Sequence, residues 1–348
     1  MSNSPSPSSR GPSLASSTAP STAWPRMSGA EDAPAQPDEF EQIARLYRPL
    51  TRGAPEALGL LDDAAVIPQR PGFDLVVTKD ALVEGVHFPP GEALDLVARK
   101  LLRTNLSDLA AMGAEPYGYF LAVAWPSGTD FAARQLFAEG LRLDGETFGV
   151  SLLGGDTVST AGPLVASLTL LGWVPQGRAV RRSGAQPGDL VMVSGPIGDG
   201  GLGLEAVMAQ LSDPDGYLAE RYRLPRPRLD LIEPLRDQAS AGADVSDGLI
   251  ADAGHIARAS GVALRLNLER MPLSRAGAAW LTEQPDRSQA LMRLATSGDD
   301  YELVLTAPPD ASARLGLPVI GVVEAGEGVL VLIDGKPVST GRRGWTHP

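Results

Sequence analysis

The sequence contains no cysteine, which excludes disulfides, thiolate metal sites and a cysteine nucleophile and makes a reducing cytoplasm the expected compartment. It lacks the G-x-x-x-x-G-K-S/T loop that cradles phosphates in P-loop enzymes. Its three histidines take part in no serine, histidine and aspartate grouping with nucleophile-elbow spacing. No apolar run approaches the ~20 residues that span a bilayer, so we do not expect a membrane protein.

Positive charge is also scarce, since 30 lysines and arginines face 42 aspartates and glutamates and leave a formal net charge of −12. A nucleic-acid binder needs a basic stripe for the phosphate backbone, so we expect no nucleic-acid partner. An acidic chain instead suits a protein that collects divalent cations. With 43% apolar and 21% charged residues, the composition is that of a globular protein.

The composition divides the chain into three parts. Residues 1–37 are dominated by serine, proline and alanine, which cannot bury enough apolar surface to offset the entropy of ordering, so we predict a disordered tail. Turn-forming residues near 175–188 predict a boundary between an N-terminal domain at 38–176 and a C-terminal domain at 177–348. Strands and helices mix without strict alternation, which favours an α+β fold.

Apolar periodicity gives a coarse prediction of secondary structure. Helical spacing covers residues 39–47, 93–112, 130–149, 202–211 and 247–260. Strand-like runs cover residues 64–68, 74–78, 118–125, 151–153, 164–174 and 190–194.

Five short polar motifs interrupt otherwise apolar segments. They are Asp62-Asp63, Asp80 with His87, Asn105-x-x-Asp108, Gly154-Gly155-Asp156 and Asp244-x-Ser246-Asp247. Carboxylates drawn from so many segments suit Mg²⁺, a hard cation that takes oxygen ligands and bridges protein aspartates to nucleotide phosphates. Phosphoryl transfer needs positioning and charge neutralisation more than a protein nucleophile. We therefore predict a magnesium-dependent, ATP-using kinase.

Several of these motifs also have a purely structural interpretation. Asp62 and Asp63 could form a solvated surface pair, although the apolar residues on both sides would make an unbound pair costly. Asn105 and Asp108 lie on one helix face and should point into a site; a buried Asp108 that only accepts hydrogen bonds is the alternative. Asp247 fits a helix N-cap, a role that does not explain Asp244.

The segment Gly198-Asp199-Gly200-Gly201-Leu202-Gly203 matches the dinucleotide fingerprint G-x-G-x-x-G. That fingerprint also requires an acidic residue at the end of a second strand about 20 residues on. The candidates Asp213, Asp215 and Glu220 lie in a polar stretch that contains proline. We therefore do not expect NAD binding.

In their order along the chain, the motifs resemble those of the thiamine-monophosphate kinase family, within the superfamily of aminoimidazole ribonucleotide synthetase and selenophosphate synthetase. The resemblance runs from about Glu39 to His347. Gly-Val-His-Phe at 85–88 and the closing Gly-Trp at 344–345 point to the thiamine kinase branch. The other blocks are Leu-Asp-Asp-Ala-Ala at 61–65, Thr-Lys-Asp at 78–80, Asn-Leu-Ser-Asp-Leu-Ala-Ala-Met-Gly-Ala at 105–114, Gly-Gly-Asp-Thr at 154–157, Arg-Ser-Gly-Ala at 182–185, Asp-Val-Ser-Asp-Gly-Leu at 244–249 and Ser-Gly-Asp-Asp-Tyr-Glu-Leu at 297–303.

The resemblance implies direct transfer of the ATP γ-phosphate to thiamine monophosphate, the final step of thiamine diphosphate biosynthesis, with several Mg²⁺ ions and no phosphoenzyme. It implies a two-domain aminoimidazole-ribonucleotide-synthetase-like architecture: an N-terminal mixed sheet used for dimerisation and a C-terminal α/β sandwich domain. ATP would sit in the cleft near the interface of this homodimer. The implied metal ligands are Asp63, Thr78, Asp80, Asp108, Asp156, Asp244 and Asp247. The implied ATP contacts are Gly155, Asp156, Arg182 and Ser246, and the implied substrate contacts are His87, Asp299 and Trp345.

Three positions depart from the family pattern, because Leu61 replaces a glycine, Lys79 stands where threonine or serine is common, and Asp299 replaces a glutamate. A lysine at 79 would compete with metal or reach a phosphate, and the shorter Asp299 favours a substrate contact through water. Trp345 could instead cover a small core, and Arg182 could be a solvated turn arginine. The functional alternatives are another ATP-dependent synthetase of the superfamily and an inactive nucleotide-binding regulatory module.

Overall fold

The computed structural model describes residues 37–339 and Gly344. The predicted tail at residues 1–37 lies outside this range apart from Pro37. None of the helices in the described range combines the length and the apolar character needed to cross a bilayer.

Short helical segments open the described chain, in agreement with the helix predicted at 39–47. Asp38 caps the first of them, since its carboxylate accepts a hydrogen bond from the Glu41 N–H at 2.8 Å. The segments are α1 (Glu39–Gln42), a π-helical turn (Ile43–Tyr47) and two 3-10 segments (Arg48–Thr51 and Pro55–Leu60).

The strand predicted at residues 64–68 is wrong, because this segment is an exposed loop. Leu58, Gly59 and Leu60 all have positive φ and turn the chain just before it. Val66 is 65% exposed, and its N–H donates to the Glu56 carbonyl at 3.0 Å rather than to a neighbouring strand. The apolar residues of this segment therefore do not form part of a sheet.

Four strands form the first sheet, in the order β1-β4-β2-β3. They are β1 (Phe73–Val83), β2 (Glu115–Pro126), β3 (Ser151–Thr160) and β4 (Val165–Pro175). β2 and β3 run parallel while the other neighbours run antiparallel, so the sheet is mixed. Helices α2 (Leu94–Ala111) and α3 (Phe131–Phe148) cover one face, where Leu106 and Phe137 are fully buried.

Seven strands form the second sheet, in the order β11-β10-β7-β9-β5-β8-β6. It is also mixed, because β7 and β10 run parallel among antiparallel neighbours. Its strands are β5 (Leu190–Val193), β6 (Ala241–Asp244), β7 (Ala263–Asn267), β8 (Leu303–Ala307), β9 (Val319–Glu324), β10 (Gly328–Ile333) and β11 (Lys336–Pro337). The helices around it are α4 (Asp199–Val207), α5 (Tyr217–Arg223), α6 (Ile232–Gln238), α7 (Leu249–Ser260), α8 (Arg275–Thr282), α9 (Arg287–Thr296) and α10 (Pro309–Leu315), with 3-10 turns at Leu229–Leu231 and Leu268–Arg270.

Two mixed sheets with helices packed beside them confirm the α+β prediction. The long helices were predicted well where the sequence supplies end signals. Asp130 accepts from the Ala133 N–H at 2.8 Å at the start of α3, and Gly149, at φ +72, ends it. The strands of the two sheets come from residues before and after the boundary predicted at 176 and 177; that boundary remains a prediction.

Candidate functional site

Buried carboxylates meet where β1, α2 and β6 come together. Thr78 and Asp80 lie two residues apart on β1, so both side chains face α2. Asp108 on α2 accepts a hydrogen bond from the Thr78 hydroxyl. Asp244 ends β6, and its carboxylate accepts from the Ser107 hydroxyl at 3.1 Å. One strand of each sheet and helix α2 therefore bring three carboxylates together. We call Asp80, Asp108 and Asp244 the acid cluster.

Burial and mutual repulsion disfavour ionisation of the acid cluster. Burial, followed by the charge of Asp80, raises the pKa of Asp108 to about 6. Burial also raises the pKa of Asp80, and burial together with the charge of Asp108 raises the pKa of Asp244 well above its ordinary value. A Mg²⁺ ion binds oxygen donors of this kind and would relieve their repulsion. The Thr78 hydroxyl and the acid cluster therefore fit a magnesium site.

The turn after β6 is held by a carboxylate that sequence reasoning missed. Asp252, inside α7 and 2% exposed, accepts hydrogen bonds at 3.1 Å from the N–H groups of Ser246, Asp247 and Gly248. Gly248 is therefore the N-cap residue of α7, which begins at Leu249. The interpretation of Asp247 as the N-cap is wrong, because the helix begins one residue later and its N-cap, Gly248, offers no side-chain cap. The Asp247 carboxylate lies within 4.8 Å of ligand atoms of Asp252 and His255.

Arg182 is exposed and lies near the same carboxylates. Its positive charge lowers the pKa of Asp108 and of Asp252, although burial raises each by more. The same charge also lowers the pKa of His255, after the larger effect of burial. A guanidinium in this place can donate two hydrogen bonds to phosphate oxygens.

A cavity of about 510 Å³ lies beside the acid cluster, at the edge of the first sheet formed by β1. We call it the β1-edge cavity. Both halves of the chain line it, with Asp80 and His87 from the first and Ser246, Asp247 and Asp299 from the second. It thus brings together two predicted metal ligands, one predicted ATP contact and two of the predicted substrate contacts.

His87 is held in this cavity through one ring nitrogen. The Val83 N–H donates to His87 Nδ1 at 3.0 Å. In the neutral imidazole the proton therefore sits on Nε2, which makes Nε2 a hydrogen-bond donor. The Tyr222 hydroxyl donates to the His87 main-chain carbonyl at 3.0 Å and fixes the backbone of the same residue.

Asp299 lies on a tightly bent loop against the turn after β6. Gly298 and Asp299 both have left-handed backbones, at φ +76 and +59. The Asp299 N–H donates to the Ser246 carbonyl at 2.9 Å. A Cβ at position 298 would lie 2.5 Å from that same carbonyl oxygen, so only glycine allows this approach. The Asp299 carboxylate lies 3.4 Å from Lys100 Nζ.

A second cavity, of about 520 Å³, lies at the opposite edge of the first sheet, which is formed by β3. We call it the β3-edge cavity, and Asp62, Asp63, Gly155, Asp156 and Tyr47 are among its lining residues. Asp62 and Asp63 are exposed, which agrees with the alternative of a solvated surface pair. An exposed carboxylate pair keeps its hydration until a ligand displaces it, so this pair needs no bound metal to be tolerated.

The predicted site residues are separated by the width of the first sheet within one chain. Asp80 pairs with Leu168 on β4, Leu168 with Leu121 on β2, and Leu121 with Gly155 on β3. Asp80 and Gly155 therefore stand in one row at opposite edges, about 14 Å apart at the usual spacing of strands. Gly155 is required in this row, because a Cβ there would lie 2.0 Å from the Leu121 carbonyl oxygen.

Lys79 lies on the opposite side of the first sheet from the acid cluster. Side chains alternate along β1, so Lys79 shares the exposed face with Leu75 and Val77. It also lines the β1-edge cavity together with Asp80, so the expectation that it competes with a metal ion or reaches a phosphate stays a prediction. Trp345 lies outside the described residues.

The glycine-rich segment at 198–203 has a packing role. The N–H groups of Gly198 and Gly200 both donate to the buried Asp300 carboxylate at 2.9 Å. A Cβ on Gly203 would lie 2.2 Å from the Leu218 carbonyl oxygen. Close packing of α4 against α5 and against the loop of Asp300 accounts for these glycines.

Sequence reasoning missed Lys100 and Tyr222 as well as Asp252. Lys100 lies on the buried face of α2, one turn before Thr104, and is 3% exposed. A lysine between Val97 and Leu101, both buried, is the signal that would have marked it. Asn105 donates from Nδ2 to the Leu101 carbonyl at 2.8 Å, while its buried Oδ1 has no hydrogen-bond partner among the described residues, so its predicted place in the site stays a prediction.

Two family models match the chain in succession. The model described as AIR synthase related protein, N-terminal domain, matches residues 61–174, and that of the C-terminal domain matches residues 186–333. The chain is 58% identical to thiamine-monophosphate kinase of Caulobacter vibrioides over 327 residues, which cover 91% of this chain and 93% of the relative.

Solved structures of thiamine-monophosphate kinases also match the chain. The crystal structure of thiamine-monophosphate kinase from Stenotrophomonas maltophilia matches with a TM-score of 0.74 and 38% identity, covering 86% of this chain and 98% of that one. A structure described as AaThiL complexed with AMPPCP and TMP matches with a TM-score of 0.73 and 32% identity, covering 82% and 91%.

Proposed function

The chain belongs to the thiamine-monophosphate kinase family, and from this premise we propose how its two cavities carry out the reaction. The enzyme transfers the γ-phosphoryl group of ATP to thiamine monophosphate and releases thiamine diphosphate and ADP. A phosphate oxygen of thiamine monophosphate forms the new bond to the γ-phosphorus. The bond between that phosphorus and the β,γ-bridging oxygen breaks, and ADP leaves with the electron pair. We assign no covalent role to any side chain, because the transfer depends on positioning and charge neutralisation.

The proposed metal ligands come from five segments of the chain. Bound Mg²⁺ would neutralise the charge on the transferring phosphoryl group and on ADP. The acid cluster supports this assignment most strongly, because its carboxylates are held close together against their own repulsion. The proposed ligands are Asp63, Thr78, Asp80, Asp108, Asp156, Asp244 and Asp247.

The contacts with the two substrates follow from the two cavities. For ATP we propose Gly155 and Asp156 in the β3-edge cavity, together with Arg182 and Ser246 near the acid cluster. For thiamine monophosphate we propose His87 and Asp299 in the β1-edge cavity, and Trp345 on the resemblance alone. The observation that carries the proposal is that the β1-edge cavity joins His87 and Asp299 to Asp80 and Asp247, so an acceptor phosphate there lies beside the metal ligands.

We further propose that the enzyme works as a homodimer formed through its first sheets. Within one chain the two cavities lie at opposite edges of that sheet, and both edge strands are unpaired among the described residues. Strand alternation places Leu75, Val77 and Val158 on the face away from α2, where they are 43%, 55% and 52% exposed. A second copy against this face would cover these side chains and bring one chain's β3-edge cavity toward its partner's β1-edge cavity. We place the enzyme in the cytoplasm, where ATP and Mg²⁺ are supplied.

The test is to incubate the protein with ATP, Mg²⁺ and thiamine monophosphate and to follow thiamine diphosphate and ADP by chromatography. Thiamine in place of its monophosphate, and EDTA in place of Mg²⁺, serve as controls. We expect thiamine diphosphate and ADP in equal amounts, with both lost in EDTA. Absence of thiamine diphosphate in the complete mixture would overturn the proposed function.

A further inference from the structure

One buried lysine beside the β1-edge cavity has no part in the reaction as proposed so far. Lys100 projects from α2, and its side chain is 4% exposed. The chain has three lysines, and the other two, Lys79 and Lys336, are exposed. Burying an ammonium group is costly unless nearby groups compensate for its lost hydration, so its neighbours should reveal its purpose.

Asp299 and the Tyr222 ring contact the Lys100 ammonium, and the charge of Glu92 adds a smaller attraction. Lys100 Nζ lies 3.4 Å from Oδ2 of Asp299 and 3.4 Å from the centroid of the Tyr222 ring. Burial lowers the pKa of Lys100, and the charge of Asp299 is the largest influence that opposes this shift. The ammonium is thus held between an aromatic face and a carboxylate.

Tyr222 connects this pair to the other proposed substrate contact. It is 2% exposed, and its hydroxyl donates to the main-chain carbonyl of His87 at 3.0 Å. One tyrosine of α5 therefore holds His87 through its hydroxyl and Asp299 through the lysine on its ring. His87 follows β1 of the first sheet, whereas Asp299 precedes β8 of the second.

The two members of the ion pair, Lys100 and Asp299, differ in their exposure to solvent. The Asp299 side chain is 30% exposed, while that of Lys100 is 4% exposed and its Nζ is shielded from solvent. A ligand in the cavity reaches Asp299 first. Asp299 also has a left-handed backbone, so its carboxylate needs support to keep one direction.

We propose that Lys100 is a positioning residue that, seated on the ring of Tyr222, fixes the Asp299 carboxylate for the acceptor substrate. The inference rests on the proposed function, and in particular on the contact between Asp299 and thiamine monophosphate. A carboxylate suits the cationic thiazolium ring or the amino group of the pyrimidine, and it repels the phosphate. Lys100 therefore acts on recognition of the thiamine part of the substrate.

The test compares Lys100→Met with Lys336→Met, the same change at an exposed lysine in β11, at the edge of the second sheet farthest from β6. For Lys100→Met we expect the KM for thiamine monophosphate to rise roughly tenfold, because Asp299 loses the ion pair that holds its carboxylate. The KM for ATP should change less than about twofold, because Lys100 contacts Asp299 and Tyr222, neither of which is a proposed ATP contact. Lys336→Met should leave both values unchanged.

Two further measurements separate positioning from direct contact. Affinity for thiamine, which has no phosphate, should fall in Lys100→Met by the same factor as affinity for thiamine monophosphate, measured by calorimetry without turnover. In an Asp299→Asn background, Lys100→Met should have no further effect. If thiamine binding is unchanged, or if the two substitutions act additively, Lys100 contacts the substrate by itself and the proposal is overturned.

Separate controls distinguish a misfolded variant from a loss of substrate affinity. If Lys100→Met does not fold, as judged by circular dichroism, Lys100→Gln takes its place; it keeps one donor for Asp299 and should raise both dissociation constants by a smaller factor. An unchanged affinity of folded Lys100→Gln for thiamine would also overturn the proposal. Failure of the wild-type protein to convert thiamine monophosphate would count against the proposed function, whereas normal conversion with an unaffected Lys100 variant counts against the positioning role alone.

Discussion

Replacing Asp108 by asparagine is expected to stabilise the metal-free protein while removing its response to Mg²⁺. The pKa of Asp108 is about 6 in the folded chain, against an ordinary value of 3.8. At 1.36 kcal/mol per unit, this difference of about 2 pKa units lowers the free energy of unfolding by about 3 kcal/mol at neutral pH. Relaxation around the charge reduces the effect, so we expect the free energy of unfolding to rise by about 1–3 kcal/mol.

The pH dependence of this gain identifies its cause. Because the pKa of Asp108 is raised by folding, the folded chain keeps a proton that the unfolded chain releases. The stability that Asp108 contributes is therefore complete below about pH 4 and is lost as the pH rises to about 6. The gain from Asp108→Asn should be full at pH 7.5 and should shrink toward zero near pH 4.

The assay is urea unfolding of each variant with EDTA and with Mg²⁺, followed by circular dichroism. Asp215→Asn, at an exposed aspartate, is the matched control, and no gain is expected from it. Asp63→Asn should lower turnover without raising the free energy of unfolding, because Asp63 is exposed. Mg²⁺ should stabilise the wild type and have little effect on Asp108→Asn. A loss of stability for Asp108→Asn in EDTA at pH 7.5, or an equal gain at both pH values, would refute the reasoning.

Two further predictions concern groups that support the site. Gly155→Ala should cost more than about 3 kcal/mol in the free energy of unfolding, because the new Cβ would lie 2.0 Å from a carbonyl oxygen of β2; a soluble variant of near-normal stability would contradict the register of β2 and β3. Glu302→Gln should lower the free energy of unfolding by about 3–5 kcal/mol, because the buried Glu302 carboxylate pairs with Arg221 and Arg228 at 3.1 and 3.0 Å. Urea unfolding measures this loss. A loss below about 1 kcal/mol would show that the ion pairs do not stabilise the fold.

Local signals were enough to predict the long elements. The apolar stripe of α2 and the end signals of α3 specify those helices, and the alternation of β1 specifies a strand with one buried face. The inward direction of Asp108 was also predictable, since it lies on the apolar stripe of α2. These signals depend only on neighbours within a few residues in the chain.

Features that depend on distant contacts were not predictable. The order of strands in the first sheet places Asp80 and Gly155 at opposite edges, and nothing local in either motif specifies that order. Asp252 holds the turn before α7 only because the helix directs its carboxylate back toward the N–H groups of residues 246–248. Lys100 acquires its role from Asp299, which lies almost 200 residues away in the chain.

The most direct test of the central claim is a crystal structure with a non-hydrolysable ATP analogue and Mn²⁺, whose anomalous signal locates the ions. We expect ions about 2.1 Å from carboxylate oxygens of Asp80 and Asp108 and from oxygens of the nucleotide phosphates. We expect Asp63 and Asp156 to approach the same nucleotide. Ions bound elsewhere, with Asp80 and Asp108 making no contact with metal or phosphate, would contradict the account.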